Sequence, residues 1–292
     1  MAALSSTNDF LLDIDAQLQR AARGLERIEE EFVKIQPGED LSRIGRIETK
    51  EFVGALKHVL DQVTVRVWRT LIFPELSAKL AAKKMSVIYY PYAYDEQMFQ
   101  SALGKMVSIE KIANNTQTPN EEIFATWLRA VQPLPPTPYS SLYTIGKLSR
   151  LPHQKLIEQK KSRRFIVEAF GPTGGGASMY FEDKPERFSI WTYEDEHQSC
   201  VGIGGPPTSN NPNAKITAFT FDPETMDFNT VAGAKTSVLE VMMCYVEDMK
   251  FDALKVFSEA LWSAKHIVHI SEEIMYCQRG HENSPTELGA SQ

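Results

Sequence analysis

The chain has 292 residues, of which 42% are hydrophobic and 24% are charged, as in soluble globular proteins that bury a sizeable core. Its formal net charge of −7 excludes a general electrostatic attraction to nucleic acid or to an anionic membrane, although a local basic patch remains compatible with such binding. The three cysteines lie far apart without a CxxC pair, which excludes a zinc ribbon or a dithiol redox motif and favours free thiols in a reducing compartment.

The N-terminal residues carry no targeting signal. Residues 1–18 are acidic and lack the basic region and apolar run of a secretory signal. No stretch approaches the roughly 18 uninterrupted apolar residues that a transmembrane helix needs. The sequence therefore predicts a cytoplasmic protein that does not bind a membrane.

The first 160 residues have the periodicity of helices. Apolar residues recur at spacings of three or four over residues 8–35 and again over residues 47–84, where Phe73-Pro74 predicts a break or a kink. Two long amphipathic helices in succession indicate an antiparallel pair that begins a helical bundle. Shorter helices are predicted over residues 95–112 and 118–131.

Three further segments complete this half of the chain. Four tyrosines lie within residues 89–94, and such rings either cover a core or stack on nucleic-acid bases. Residues 132–138, with the sequence QPLPPTP, predict a stiff extended connector. Residues 139–159 predict one more helix, which Pro152 interrupts.

The period of the pattern changes after Arg163, where short apolar runs alternate with turns rich in glycine and proline. Short connections of this kind favour antiparallel pairing, and residues 222–227 predict a hairpin turn. A long helix is predicted over residues 252–276. The strands are expected over residues 164–170, 178–181, 187–193, 200–203, 215–221, 227–231 and 237–243.

These elements predict an α+β fold, with an N-terminal antiparallel helical bundle and a C-terminal antiparallel β-meander that a long helix closes. The expected division is a helical region over residues 1–160 and a sheet with its helix over residues 161–280. The two regions form either separate domains or one continuous domain. Residues 281–292 are expected to form a flexible tail.

Glycine-rich segments in the second half do not have the context of a nucleotide site. Residues 171–176 resemble a phosphate-binding loop, but the Lys-Ser/Thr pair and the following helix are absent. Residues 202–205 fail the dinucleotide fingerprint because two prolines follow and no helix can begin there to bind a phosphate. Both segments are therefore interpreted as turns, and no cofactor is expected.

One group on the last predicted helix has side chains that bind transition metals. His266, His269 and Glu273 lie at positions i, i+3 and i+7, so they share one face of the helix. The spacing differs from HExxH, and a polar or partner-facing stripe explains it equally well. We regard these three residues as a metal-site hypothesis and expect no stoichiometric metal.

The densest positive charge lies in the basic segment, defined as residues 147–164, which holds seven Lys or Arg and one acidic residue, Glu158. Such a segment either binds phosphates or an acidic partner, or forms a solvated junction between helix and strand. His153 follows Pro152 at the start of a helical turn and is interpreted as structural. The candidate ligand or phosphate-binding residues are Lys147, Arg150, His153, Lys155, Lys160, Lys161, Arg163 and Arg164.

Motifs in four places resemble those of a family of uncharacterised bacterial proteins. Residues 51–61, EFVGALKHVLD, are similar to a helix that is typically written NLRSALD in that family. The family continues with a Phe-Pro segment, a helix that ends in Gln-Pro and a helix with the motif LxxLxxxDKHR. Here Tyr90-Pro91, Gln132-Pro133 and residues 148–156, LSRLPHQKL, follow in the same order.

This resemblance spans residues 45–277 and implies helices, then strands, then a final helix, without implying an activity. Asp61 of the first motif is kept, but the arginine of that motif is absent. Only His153 remains of the charged DKHR quartet, so a role that depends on the complete quartet does not carry over to this chain.

The sequence favours a non-catalytic protein that binds a protein partner, a ligand or further copies of itself. A nucleic-acid-binding or RNA-acting protein that uses the basic segment is the alternative, and a hydrolase or metalloprotein is a third hypothesis. Helical-bundle ribonucleases of the defence type carry an arginine four to six residues before a histidine. Arg150 and His153 are the closest pair, and their spacing differs.

Overall fold

The computed structural model confirms the α+β class, with helices in the N-terminal half, antiparallel sheets after them and a long helix near the C-terminus. None of the helices within the described residues has an apolar stretch that could cross a lipid bilayer. The structure describes residues 7–107, 114, 116–152, 156–170, 176–195, 199–205, 208, 211–225, 227–229, 235–246 and 249–282.

Local sequence signals explain where the second helix begins and ends. The hydroxyl of Ser42 accepts a hydrogen bond from the N–H of Gly45 at 3.0 Å and so caps the first turn. The helix ends before Pro74, and a short 3-10 turn, Phe73–Glu75, follows it, so the predicted break is confirmed. The helices are α1 (Thr7–Lys34), α2 (Arg43–Leu71), α3 (Ala78–Met85), α4 (Glu96–Met106), α5 (Pro119–Ala130), α6 (Ser140–Arg150) and α7 (Ala253–Glu282).

The helices after α3 also begin at capping residues. Asp95 accepts the N–H of Met98 at the start of α4, and Thr118 forms a capping box with Glu121 at the start of α5. The predicted helix over residues 95–112 is found as far as Met106, and residues 108–113 lie outside the described part of the chain.

The predicted helix over residues 139–159 is wrong in its second half. α6 ends at Arg150, ahead of Pro152, and the chain is already extended at Glu158, where β1 begins. Pairing partners distant in sequence explain the difference. The N–H of Leu41 donates to the carbonyl of Gln159 at 2.8 Å, and this bond requires an extended backbone.

The strands form two four-stranded sheets, with the orders β2-β1-β7-β8 and β4-β3-β5-β6. Each pairing with a described register is antiparallel. β5 and β6 form the hairpin that the turn at residues 222–227 predicts. The strands are β1 (Glu158–Phe170), β2 (Gly176–Phe181), β3 (Phe188–Glu194), β4 (Ser199–Ile203), β5 (Lys215–Asp222), β6 (Asp227–Phe228), β7 (Lys235–Val246) and β8 (Met249–Asp252).

The chain separates into two compact units, and both are discontinuous in sequence. The helical unit comprises the described residues of Met1–Lys34, Leu41–Gln159 and Cys244–Gln292. The sheet unit comprises those of Ile35–Asp40 and Lys160–Met243. This division differs from the predicted boundary because α7 belongs to the helical unit. α7 also extends to Glu282, so the first two residues of the predicted tail are helical, and residues 283–292 lie outside the described part.

α2 forms the centre of the helical unit, and both α1 and α7 pack on it. Phe52 and Trp68 of α2 are fully buried, and the ring of Phe52 lies 5.1 Å from that of Phe257 of α7. Burying an aromatic or aliphatic side chain contributes roughly 1.5–3 kcal/mol to the free energy of unfolding. The packing of α7 against this core explains why it belongs to the helical unit.

The core of the sheet unit consists of phenylalanine and aliphatic side chains. Ile190 of β3 with Phe219 and Phe221 of β5 pack against Val167 of β1. These residues alternate along their strands with residues of the opposite face, as the pleat of a strand requires. β3 and β5 therefore each have one buried face and one outer face.

Candidate functional site

The tyrosine segment, defined as residues 88–94, lies between α3 and α4 and has no regular secondary structure. Its backbone is held by side chains from other elements of the helical unit. The carboxylate of Asp61 accepts the N–H of Tyr90 at 2.9 Å, and the side-chain carbonyl of Gln132 accepts the N–H of Ala93 at 3.0 Å. The hydroxyl of Tyr90 donates to the carbonyl of Val131. These bonds fix the segment against α2 and the end of α5.

Tyr92 has a strained backbone at the centre of this segment. Its φ of 51° lies in the left-handed region, which costs a residue with a side chain roughly 1–3 kcal/mol. The ring packs edge-on against Tyr90, with centroids 4.8 Å apart. On another side α6 approaches so closely that a Cβ atom on Gly146 would stand 2.7 Å from both Cβ and Cγ of Tyr92. Packing therefore holds Tyr92 in this conformation.

The hydroxyl of Tyr92 is buried, and within the described residues it has no hydrogen-bond partner. Burial raises the pKa of Tyr92 well above its ordinary value of 10.0; the charge of Asp61 adds to this, and Arg150 opposes it. The phenol is therefore neutral at physiological pH. A buried hydroxyl without a partner costs about 1–3 kcal/mol, and such costs concentrate at functional sites.

A cavity of about 310 Å³ lies beside the tyrosine segment. Successive side chains of the segment alternate between two sides. Tyr90 and Tyr92 are buried in the core, whereas Tyr89 and Pro91 form part of the cavity wall. We call this space the Tyr89 cavity. It is lined by Tyr89, Pro91, Gln97, Met98, Ser101, Ala102, Lys105 and Arg150.

The lining of the Tyr89 cavity includes two cations and no carboxylate. Lys105 comes from α4 and Arg150 from the last turn of α6, and both side chains are exposed. No carboxylate of the described residues forms an ion pair with either of them. The wall can therefore attract an anion, while Ser101 and Gln97 supply neutral hydrogen-bonding groups.

The other described residues of the basic segment are divided between the two units. In the helical unit, the amine of Lys147 lies over the ring of Tyr143 at 5.1 Å, and that ring packs against Tyr94. His153 and Lys155 lie outside the described residues. The remaining four candidates belong to β1 in the sheet unit, where successive side chains point to opposite faces.

Lys161 is buried, which does not fit the solvated junction that was one of the two interpretations of the basic segment. Its ammonium donates to the carbonyl of Ile35 at 3.0 Å and forms an ion pair with Glu240 at 2.9 Å. Arg163 shares the same carboxylate at 3.5 Å. The hydrogen bond from Lys161 is the main cause of the lowered pKa of Glu240. The positive charges of Lys161 and Arg163 are therefore both paired with the carboxylate of Glu240 in the same unit.

Arg164 also has partners for its side chain, whereas Lys160 is exposed. A guanidinium nitrogen of Arg164 donates to the sulfur of Met243 at 3.0 Å and lies 4.0 Å from Glu182. Lys160 is exposed, and its backbone forms a β-bridge to Asp40. Of the six predicted candidates that the structure describes, Arg150 is the one on the wall of the Tyr89 cavity.

The three residues of the metal hypothesis have separate surroundings on α7. Nδ1 of His266 lies 2.8 Å from the hydroxyl of Tyr139, and its ring stacks on Trp262 with centroids 5.1 Å apart. His269 instead lies 3.5 Å from the carboxylate of Glu273, and both side chains are exposed. In the described ranges, no three His, Cys, Asp or Glu side chains converge as a metal site would require.

Lys105 and Gly146 are the parts of this site that the sequence did not reveal. Lys105 is a single cation on a short helix, and its pattern does not differ from that of a solvated residue. Gly146 lies inside a helix, where glycine costs about 1 kcal/mol relative to alanine. That cost was a signal of close packing, and the structure identifies Tyr92 as the neighbour.

We expect the free energy of unfolding to fall as the pH rises above about 9. Burial raises the pKa of the free Cys244 thiol from 9.0 to about 12, and it raises those of Tyr90 and Tyr92 well above 10.0. The unfolded chain therefore releases protons at a pH where the folded chain still holds them, which favours unfolding. Urea titrations at pH values from about 7 to 10 measure the effect. A free energy of unfolding that is constant over this range would contradict the prediction.

Comparison with known proteins gives no relative for this chain. No family model, no curated protein and no solved structure matches it. The resemblance to the bacterial family with the NLRSALD-like motif therefore stays a prediction. Asp61, Tyr90 and Gln132, which lie in three of the segments compared with that family, meet at the tyrosine segment.

Proposed function

We propose that the protein is a non-catalytic binding protein whose helical unit binds a small organic anion in the Tyr89 cavity. The observation that carries this proposal is the pair of cations, Lys105 and Arg150, on a wall that contains no carboxylate. A guanidinium is suited to a planar carboxylate or a phosphate because it donates two parallel hydrogen bonds. Lys105 adds a second positive charge from α4.

The remaining wall groups favour an anion that also carries an apolar part. Tyr89 is partly exposed and offers a ring face, and Met98 offers a polarisable apolar surface. A volume of about 310 Å³ suits a small ring with one acidic group. The ligand class is therefore an aromatic or cyclic carboxylate or phosphate.

Binding without catalysis agrees with the chemistry of the groups at the cavity. The raised pKa of Tyr92, whose segment borders the cavity, keeps its phenol protonated near pH 7, so this tyrosine does not act as a general base. The nucleic-acid alternative has less support, because Lys161 is buried and Arg163 shares the carboxylate of Glu240.

The proposal extends to location and partners. The resemblance supports a bacterial protein, and the free, buried thiol of Cys244 agrees with a reducing cytoplasm. Trp262 and Tyr276 are exposed aromatic residues on α7, and they support contact with a protein partner or with a second copy of the chain.

Titration calorimetry with phenyl phosphate, benzoate and inorganic phosphate tests the anion site. We expect phenyl phosphate or benzoate to bind, and we expect Arg150→Ala and Lys105→Ala each to weaken binding by about tenfold, since a charge-assisted hydrogen bond contributes about 1.5–3 kcal/mol. Benzyl alcohol, which has the ring without the charge, should bind much more weakly.

Lys79→Ala is the matched control, because it removes an exposed lysine from α3, away from the cavity lining. This variant should bind the anions as the native protein does. The proposal fails if no probe binds at about 1 mM, or if the double variant Lys105→Ala/Arg150→Ala binds with unchanged affinity.

A further inference from the structure

The second sheet, β4-β3-β5-β6, has an outer face with aromatic residues on its central strand. Ile190, Phe219 and Phe221 point into the core of the sheet unit, and side chains alternate along a strand. Trp191 and Tyr193 of β3 therefore lie on the opposite face. In the register, Trp191 is flanked by the small residues Gly202 on β4 and Ala218 on β5.

The indole of Trp191 lies flat on Gly202. A Cβ atom on this glycine would stand 2.1, 2.4 and 2.8 Å from Cζ2, Cε2 and Cη2 of the ring. Three adjacent ring atoms come so close because the ring covers the glycine with its face and not with an edge. Only glycine leaves room for this arrangement, so residue 202 allows a flat aromatic surface on the sheet.

Packing, and not a hydrogen bond, sets the orientation of this ring. The indole N–H of Trp191 is buried, and in the described part of the chain it has no acceptor. A buried indole N–H ordinarily finds a partner, and its absence carries a cost. The indole N–H therefore lacks a hydrogen bond, while one face of the ring packs on Gly202 and the other face is directed away from the sheet.

Polar groups continue the row of Trp191 and Tyr193 in both directions. The hydroxyl of Tyr193 donates to the carboxylate of Asp195 at 2.7 Å, and the side-chain amide of Asn211 lies 3.4 Å from the same oxygen. At the other end, the hydroxyls of Ser189 and Thr220 are 3.2 Å apart across the two strands. The face thus offers aromatic, hydroxyl, amide and carboxylate groups in one line.

The charge of this face favours a neutral occupant over a phosphate-bearing one. Among the described residues of β3, β4 and β5, none that points outward is a lysine or an arginine, because Lys215 lies on the inner side of the alternation. Arg187 precedes β3 and is paired with Asp222 at 3.3 Å. The described part of this face therefore offers no unpaired cation to a nucleic-acid backbone.

We propose that the outer face around Trp191 and Tyr193 is a binding site for a neutral oligosaccharide. A sugar ring has one face of C–H groups, which packs on an indole, and a rim of hydroxyl groups, which donate to a carboxylate and accept from an amide. Trp191 and Tyr193 supply aromatic rings for the C–H face, Asp195 supplies the carboxylate acceptor and Asn211 supplies the amide donor. This site lies within the sheet unit and does not depend on the anion site of the helical unit.

The test is a titration of the intact protein with cellohexaose, maltohexaose and mannohexaose, monitored by calorimetry and by the indole N–H signals in NMR spectra. We expect at least one of the three to bind and to shift one of the four indole signals, which the Trp191→Phe variant identifies by its absence. Trp191→Ala should weaken binding by at least about tenfold, whereas Trp191→Phe should retain a part of it.

Trp262→Ala is the matched control, since it removes a half-exposed indole from α7 of the helical unit, and it should bind the sugars normally. The proposal is overturned if none of the three sugars binds at about 1 mM or if the shifted indole is not that of Trp191. It is also overturned if a thymidine oligonucleotide binds with the same dependence on Trp191, because the face would then recognise bases.

Discussion

The Gly146→Ala variant is expected to unfold more readily than the native protein, with a free energy of unfolding lower by about 1–3 kcal/mol. Helix propensity alone predicts the opposite, because alanine is favoured over glycine inside a helix by about 1 kcal/mol. At this position the added methyl group would stand 2.7 Å from two atoms of Tyr92. Neither side can yield easily, since Tyr92 is buried and α6 packs against α2 and α7.

Urea titration measures this change, and Gly54→Ala is its matched control. Gly54 also lies inside a helix, is exposed, and has no atom within 4 Å of the position that a Cβ would take. Alanine at residue 54 should therefore raise the free energy of unfolding by up to about 1 kcal/mol. Opposite signs for the two variants support the packing argument, and an equal gain from both would refute it.

The Asp61→Ala variant is expected to lower the free energy of unfolding by about 1–3 kcal/mol, because it leaves the N–H of Tyr90 without its acceptor. That amide has the carboxylate of Asp61 as its partner at 2.9 Å. The substitution also removes the ion pair of Asp61 with Lys57. Loss of the amide acceptor should dominate, since an exposed i,i+4 ion pair contributes only about 0.3–0.5 kcal/mol.

Two further variants separate these contributions. Asp61→Asn keeps an oxygen that can accept the N–H of Tyr90, so it should be clearly more stable than Asp61→Ala. Lys57→Ala removes the ion pair alone and should change the free energy of unfolding by less than about 0.5 kcal/mol. If Lys57→Ala costs as much as Asp61→Ala, the role assigned to the backbone hydrogen bond is wrong.

The helices that the sequence predicted correctly have their determinants close together along the chain. Pro74 ends α2 because proline lacks an amide hydrogen, and Thr118 with Glu121 begins α5 through a capping box. The turn between β5 and β6 is equally local. The N–H of Glu224 donates to the side chain of Asp222 two residues earlier, which stabilises the bend.

The predictions that failed depend on contacts between distant residues. The apolar pattern of residues 139–159 suggested a helix to residue 159, but the helix ends at Arg150, and the carbonyl of Gln159, in β1, accepts a hydrogen bond from the N–H of Leu41. The sequence left open whether the basic segment is exposed, and Lys161 is buried because Glu240 and the carbonyl of Ile35 compensate its charge. Periodicity and local charge contain no information about such partners.

The candidate site was predictable in part. The tyrosines of residues 89–94 and the cation Arg150 are visible in the sequence, and Asp61 and Gln132 lie in segments compared with a bacterial family. The sequence does not show that Tyr90 and Tyr92 are buried in the core while Tyr89 lies on the cavity wall. That arrangement depends on hydrogen bonds from α2 and from the end of α5.

The discontinuity of both units has a consequence for synthesis of the chain on the ribosome. Ile35, in a sheet-unit segment between α1 and α2, accepts a hydrogen bond from Lys161, which is 126 residues away. At roughly 5–20 residues per second, the segment is synthesised on the order of ten seconds before this partner. The helical unit is completed later still, because α7 is synthesised after all of its other described helices. A nascent chain interrupted before Ala253 would therefore expose the apolar faces of α2 and become a substrate for chaperones and proteases.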